Sequence, residues 1–212
     1  MAFNVQEFRS ALRYDGARPN LFQFNMTFPT VATGGGATGG AGTNDNLNVN
    51  RQFTFMARAG QMPGSSINPI PLMYFGRELK FAGNRVFPEW TVTIINDEDF
   101  RIKNSFEKWL SGLNSHVNNE RDSRFINPNS YTSNIDITQF SKTGPGIGSS
   151  FGSIEAGAAA GIKQYRLIGA FPIDVSPIEL DWGANDQIEE FTVTFAYQWW
   201  ESNTTEQSYV GA

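Results

Sequence analysis

The sequence predicts a mainly β fold, a β-sandwich or β-barrel of seven or eight strands with one main packed α-helix. Three observations predict it. Residues 90–95 (Trp-Thr-Val-Thr-Ile-Ile) and 191–197 (Phe-Thr-Val-Thr-Phe-Ala-Tyr) alternate, placing aromatic and β-branched side chains on one face and threonines on the other. That is the pattern of a sheet with one dry and one wet face. Eighteen Phe, six Tyr and five Trp supply the core, because each aromatic ring can bury a large apolar area. Only one long stretch, near 97–117, repeats its apolar residues at helical spacing. At 212 residues the chain fits a single domain with a sizeable interior.

The elements follow in order. Asn4 with Glu7 resembles a capping box, and Val5, Phe8 and Leu12 follow at i, i+3 and i+7, predicting a short helix over 4–13 within an N-terminal arm, 1–16. Leu21–Phe28 is a strand with Phe22, Phe24, Met26 and Phe28 on one face, ended by Pro29. The Gly/Thr-rich run 32–43 is too poor in apolar surface to offset its ordering entropy and is expected to be a flexible loop tip. Arg51–Arg58 is expected to be a strand with Phe53 and Phe55 inward. Residues 62–71 hold three prolines and predict an extended loop or a sheet edge, since proline donates nothing to a ladder. Tyr74–Ala82 and Trp90–Ile95 are further strands. Asn96 or Asp97 then caps the long helix, with Asp97, Glu98 and Asp99 in its first turn, where acids favour the positive end of the dipole. Its buried stripe is Ile102, Phe106, Trp109, Leu110, Leu113 and Val117. Ile135–Phe140 alternates as a strand, 142–161 is a second flexible loop, and Lys163–Ala170 is a strand ended by a turn at Phe171-Pro172. A segment around Ile178–Leu180 and the run Ile188–Trp200 complete the sheets, and Thr204–Ala212 is a tail. The predicted core is Phe22, Phe24, Phe53, Phe55, Trp90, Val92, Phe106, Trp109, Phe191 and Phe195.

The chemistry-bearing residues argue against catalysis. Zero cysteines excludes disulfides and thiolate metal sites and fits synthesis in a reducing cytoplasm. His116 is the single histidine, so His-centred triads and multi-histidine metal sites are unavailable. Asp97, Glu98 and Asp99 are adjacent helical positions that do not converge on one point. Gly144-Pro145-Gly146-Ile147-Gly148 lies in a low-complexity loop rather than a strand–turn–helix unit. Glu179 and Asp181, two apart, are a weak carboxylate pair. No catalytic, metal or cofactor constellation emerges. The sequons at Asn25 and Asn203 lack a signal peptide to direct them to glycosylation, and no apolar run approaches the roughly 18 residues of a membrane helix. Net charge is −5, but eight of the 21 acids and none of the 16 bases lie beyond residue 170, unlike the basic stripe of a protein that grips nucleic acid.

Several segments resemble the tail tube proteins of contractile-tailed bacteriophages. They are Ala-Arg-Pro-Asn-Leu-Phe-Gln (17–23), Met-Pro-Gly-Ser (62–65), Phe-Gly-Arg-Glu-Leu-Lys (75–80), Ala-Gly-Asn-Arg-Val-Phe-Pro-Glu-Trp-Thr-Val-Thr (82–93) and Asn-Asp-Glu-Asp-Phe (96–100). Phe-Pro-Ile-Asp-Val-Ser-Pro-Ile-Glu-Leu-Asp-Trp (171–182) and Ile-Glu-Glu-Phe-Thr-Val-Thr-Phe-Ala-Tyr-Gln-Trp (188–199) follow in the family's order. Against that pattern, 31–48 and 141–161 look like loop insertions and 202–212 like a C-terminal extension, within one domain spanning 1–212. The resemblance implies a subunit that forms hexameric rings stacked into a hollow tube. A contractile sheath would surround it, baseplate and tape-measure proteins would contact it, and double-stranded DNA would pass through its lumen without specific binding. It implies a place in the virion tail after synthesis in the bacterial cytoplasm. The related alternative is the inner tube of a type VI secretion or other contractile injection system.

Two surfaces are then candidates. The Pro-rich stretch 58–74, with Arg58, Met62, Pro63, Ser65, Ile67, Pro69 and Tyr74, is either an arm reaching an adjacent subunit or ring, or a surface loop. Glu78, Lys80, Thr91, Thr93, Thr192 and Thr194 form a polar face that is either lumen or subunit contact. A lumen of Thr and acids would repel phosphate weakly, whereas a Lys/Arg wall would trap it, so a neutral or acidic lumen is expected.

Overall fold

The computed structural model describes residues 5–11, 16–29, 32, 42–142 and 161–205. In chain order the elements are α1 (Val5–Ala11), β1 (Phe22–Met26), α2 (Gly42–Met56), β2 (Ala57–Gly60), β3 (Ser66–Tyr74), β4 (Arg77–Val86) and β5 (Trp90–Ile95). After these come α3 (Arg101–Leu113), a 3-10 turn at Ser123–Phe125, α4 (Pro128–Tyr131), β6 (Ser133–Phe140), β7 (Gly161–Val175), β8 (Glu190–Ala196) and β9 (Trp199–Ser202). The Gly-rich run 33–41, the capping residue Asn4, Leu12, most of the insertion 141–161 and the tail beyond 205 lie outside the described residues.

Among the described residues seven strands form one antiparallel sheet in the order β1-β6-β7-β8-β5-β2, with β9 also on β7. The long β7 belongs to both halves. Its first part pairs with β6 and β9, and its last part, Phe171–Val175, pairs with β8. Between them Gly169 sits at φ +65°, a left-handed conformation that glycine adopts without a Cβ clash. The partner strand breaks there too, and Gln198 N–H donates to Ile168 O at 3.0 Å. This paired irregularity lets the sheet fold over on itself. Its two edges then meet: Phe24 of β1 packs edge-on against Trp90 of β5, ring centroids 5.4 Å apart. A Cβ on Gly60 of β2 would lie 2.7 Å from the Phe24 ring, so glycine is what allows that closure.

The core fills the fold's interior. Trp90, Val92 and Ile94 of β5 face Phe191, Val193 and Phe195 of β8, and all six are buried. The α3 stripe Ile102, Phe106 and Trp109 covers them, with Phe106 in ring contact with Phe28, Phe53 and Phe195. Trp109 donates its indole N–H to Tyr131 O at 2.8 Å, which satisfies the polar end of a buried ring. Phe22 lies half-buried against Phe24.

Several sequence expectations are corrected. Residues 51–56 are the end of helix α2 rather than a strand. Val49, Phe53 and Met56 turn inward at i, i+4 and i+7, while Phe55 is 71% exposed and outside the core. Thr54, in the last turn of α2, satisfies its hydroxyl on Asn50 O at 3.1 Å, the usual accommodation of such a residue inside a helix. Helix α3 begins at Arg101, after Phe100 in a left-handed conformation at φ 51°, and no acid lies in its first turn. It ends at Leu113, so Val117 is 88% exposed. The chain leaves the helix axis there because Asp122 N–H returns to Gly112 O and Ser115 N–H to Glu120 O. No turn interrupts Phe171-Pro172. β7 runs through it, with the proline beside a register shift, where a missing donor is tolerated. Residues 176–189 carry no strand. Finally, α1 buries none of its residues, and Val5 and Phe8 face solvent.

Candidate functional site

The Pro-rich stretch is a strand. β3 and β4 form a separate two-stranded hairpin from Ser66 to Val86. Its turn, Phe75-Gly76, has φ 45° and 77°, the doubly left-handed geometry that matches the twist of a hairpin. Pro69 and Pro71 are two apart and so share an orientation. A ladder that persists through both requires their nitrogens to face away from β4. The expected strand Tyr74–Ala82 is replaced by this turn and by β4.

The hairpin leaves the body as an arm about 30 Å long at ~3.3 Å per residue. Its β3 residues are all exposed, as are those of β4 except Gly83. The cross-strand pairs Ile70–Phe81 and Leu72–Leu79, with Tyr74 opposite Arg77, make one face apolar. Pro71–Lys80 and Met73–Glu78 make the other mixed. An isolated hairpin is marginal in water, and contiguous exposed apolar surface of this kind marks an interaction site.

The root of the arm is held by the body. Trp90 donates its indole N–H to Gln61 O at 2.6 Å, and Trp200 donates to Gly64 O at 3.0 Å. On the returning side Phe87 meets the rings of Tyr197 and Trp200. Of the residues expected in the arm, Ile67, Pro69 and Tyr74 lie in it, and Met62 and Ser65 are exposed at its root. Pro63 is buried there and is no contact residue, and Arg58 sits in β2, ion-paired with Glu190.

The threonines of the second candidate surface are brought together by register. Thr91 stands opposite Thr194 and Thr93 opposite Thr192, with Ala59 and Asp174 as their outer neighbours. This face lies opposite the core face of the same strands, and the Arg58–Glu190 pair borders it. It is neutral to acidic. Glu78 and Lys80 do not belong to it, because both are on the arm.

Nothing among the described residues assembles a reaction centre. No group of three or more His, Cys, Asp or Glu could hold a metal there. His116 is exposed beyond the end of α3, and Asp97 only caps its own local turn, accepting Glu98 N–H at 2.9 Å. The ion pair Asp136–Arg166, 2.6 Å, lines a shallow polar cleft with Asn25 and Asn134. Among the described residues Asp122 has the one strongly perturbed carboxyl: side-chain and backbone hydrogen bonds from Arg124 hold it down at about 2. This pair closes the turn after α3 and faces solvent.

A family model described as "Phage tail tube protein" matches residues 17–203. Tail tube protein gp19 of Enterobacteria phage T4 is 26% identical over 187 residues, covering 88% of this chain and 92% of that protein. The tail tube protein of Serratia phage KSP90 is 25% identical over 195 residues, covering 91% and 93%. Among solved structures, a chain of the anti-feeding prophage baseplate aligns with a TM-score of 0.54 at 14% identity, covering 88% of this chain and 95% of that one. A chain of the sheath–tube complex of an extracellular contractile injection system, PVC, in its extended state gives 0.51 at 12%, covering 95% and 99%. At those identities the likeness is one of fold.

Proposed function

The chain belongs to the phage tail tube protein family, and from that premise we propose that it polymerises as hexameric rings stacked into a hollow tube through which DNA leaves the virion. It is a structural component of the phage tail and not an enzyme. A contractile sheath outside the tube, a baseplate at its end and a tape-measure protein within it are its proposed partners.

The observation that carries this reading is the arm, whose apolar face its own subunit leaves uncovered. A patch that fits a different patch on an identical neighbour makes a head-to-tail contact. Such contacts close into rings or continue as filaments. Two strands, β1 and β2, also end the main sheet among the described residues; they meet through the Phe24 side chain and not through a backbone ladder, so their edges can still pair with a neighbour. The threonine face is the proposed lumen wall: short neutral hydroxyls and Asp174 give phosphate nothing to bind, and over the ~8 Å reach of charge at physiological salt a basic wall would retain it.

Electron microscopy of tails carrying labelled subunits tests the reading. The label is expected along the whole shaft, and replacing residues 66–86 by a short Gly-Ser turn is expected to give a folded subunit that builds no shaft. Label confined to the tail tip, or normal shafts from the armless chain, would refute it. Thr93→Lys with Thr192→Lys tests the lumen separately: full-length tubes are expected with slowed DNA ejection, and unchanged ejection would place that face elsewhere. A second reading, the inner tube of a contractile injection system, is favoured by the shared fold with the PVC and anti-feeding prophage chains. Capsid and terminase genes beside this one support the phage tail, and secretion ATPase genes support the alternative.

A further inference from the structure

The segment joining β7 to β8 presents a second apolar surface, and its charge is opposite to that of the arm. Residues 177–189 carry Glu179, Asp181, Asp186 and Glu189 and no base, while the arm, 66–86, carries Arg77, Lys80 and Arg85 against the single acid Glu78. The segment is a defined turn. The Asp181 carboxylate accepts Gly183 N–H at 2.9 Å, Ala184 N–H donates to Asp181 O at 3.2 Å, and Asp186 takes a left-handed conformation at φ 63°. That turn holds Trp182 fully exposed, at 102%, with Leu180 at 82% beside it. An aromatic ring presented by a short self-bonded turn loses little freedom on binding, which is why tryptophan so often anchors interfaces.

We propose that the arm of one subunit docks on loop 177–189 of a second copy of this chain. Trp182 and Leu180 lie against the Ile70–Leu72–Tyr74 face, and the loop's acids face Arg77, the base that stands opposite Tyr74 on that same face. The inference rests on the tube reading and adds to it the identity of the surface that receives the arm. A second copy is favoured over another protein because the two patches are complementary in charge as well as apolar, and one chain supplies both in equal number. Opposite potentials of this kind fix partner and register more than raw affinity.

A photocross-linker at the position of Trp182 tests the contact. p-Benzoylphenylalanine replaces Trp182 in the full-length chain, tails assemble in the host from a mixture of light and 15N-labelled copies, and irradiated tails are digested for mass spectrometry. The expected product joins the peptide bearing position 182 to a peptide from 66–86 of a differently labelled copy. Shafts that assemble without that adduct, including shafts cross-linked to sheath or to another part of the tube chain, overturn the docking and leave the tube reading standing. Absence of the chain from the shaft overturns the tube reading itself. An assembly test that keeps Trp182 runs alongside. Arg77→Glu and Glu179→Arg should each lower shaft yield about tenfold, and the two together should recover most of it, since each single reversal juxtaposes like charges. A double variant as defective as the worse single one refutes the pairing.

Discussion

Gly112 offers a prediction whose sign depends on one neighbour. It lies in the last turns of α3, where alanine in place of glycine ordinarily stabilises a helix by about 1 kcal/mol. A Cβ there would stand 2.5 Å from Cε2 and 2.9 Å from Cδ2 of Phe125, well inside contact distance. Phe125 is completely buried, so its ring has no free side to turn toward, and overpacking of this kind costs about 1–3 kcal/mol. The balance for Gly112→Ala is therefore a loss of about 1 kcal/mol, or a melting temperature lower by roughly 2–4 °C in a domain of this size. Phe125→Leu removes the colliding atoms at the cost of some packing. In that background Gly112→Ala should become stabilising by about 1 kcal/mol, giving a coupling near 2 kcal/mol. Denaturant unfolding of the four purified chains at one fixed concentration measures the cycle. If Gly112→Ala raises stability equally in both backgrounds, the packing of α3 on the 3-10 turn is wrong.

Three further outcomes follow from the same structure. Phe106→Ala, which strips a ring from contact with Phe28, Phe53, Trp109 and Phe195, should cost about 3–5 kcal/mol, whereas Phe55→Ala should stay within about 0.5 kcal/mol; equal losses in denaturant melts would put Phe55 back in the core. The Asp122 carboxyl, held at about 2 against 3.8 for a free one, contributes a small stabilisation that is complete above pH 4 and is lost as pH falls through about 2. Its NMR titration midpoint should therefore rise toward the ordinary carboxylate range in Arg124→Ala, and an unchanged midpoint would remove Arg124 as the cause. Gly169→Ala should destabilise by about 1 kcal/mol or more because its φ is positive, and an unaffected melting curve would argue against the kink in β7.

What the sequence disclosed depended on the length over which its pattern repeats. Strands β5 and β8 were legible because six alternating residues in each pair face to face, Trp90 with Phe195 through Ile95 with Glu190. The α3 stripe was legible over Ile102, Phe106 and Trp109, but its ends were not: the acids at 97–99 imitate a first helical turn, and only the left-handed Phe100 moves the start to Arg101. At α2 the local alternation Phe53-Thr54-Phe55 imitates a strand, and the helical face shows only when Val49 and Met56 are counted with it. The arm was half legible. Prolines 69 and 71 rightly marked a sheet edge, and the two-residue Phe75-Gly76 turn between apolar runs was a readable hairpin signal that the prolines overshadowed. The role of the threonine face could not be read from one chain, because whatever faces it belongs to the assembled particle.

The two indole hydrogen bonds at the arm's root have a mechanical meaning. An arm about 30 Å long, built at ~3.3 Å per residue, is a lever, and a rotation of one degree at its base displaces its tip by about half an ångström. Trp90 and Trp200 clamp that base from the fold's interior and from β9. In a stack of many identical subunits, angular errors at each joint would accumulate along the shaft as a bend or a drift in twist. With the arm as the joint between stacked copies, as proposed, the clamp would act on straightness: the stiffness of one subunit's shoulder would set how far a long tube runs true.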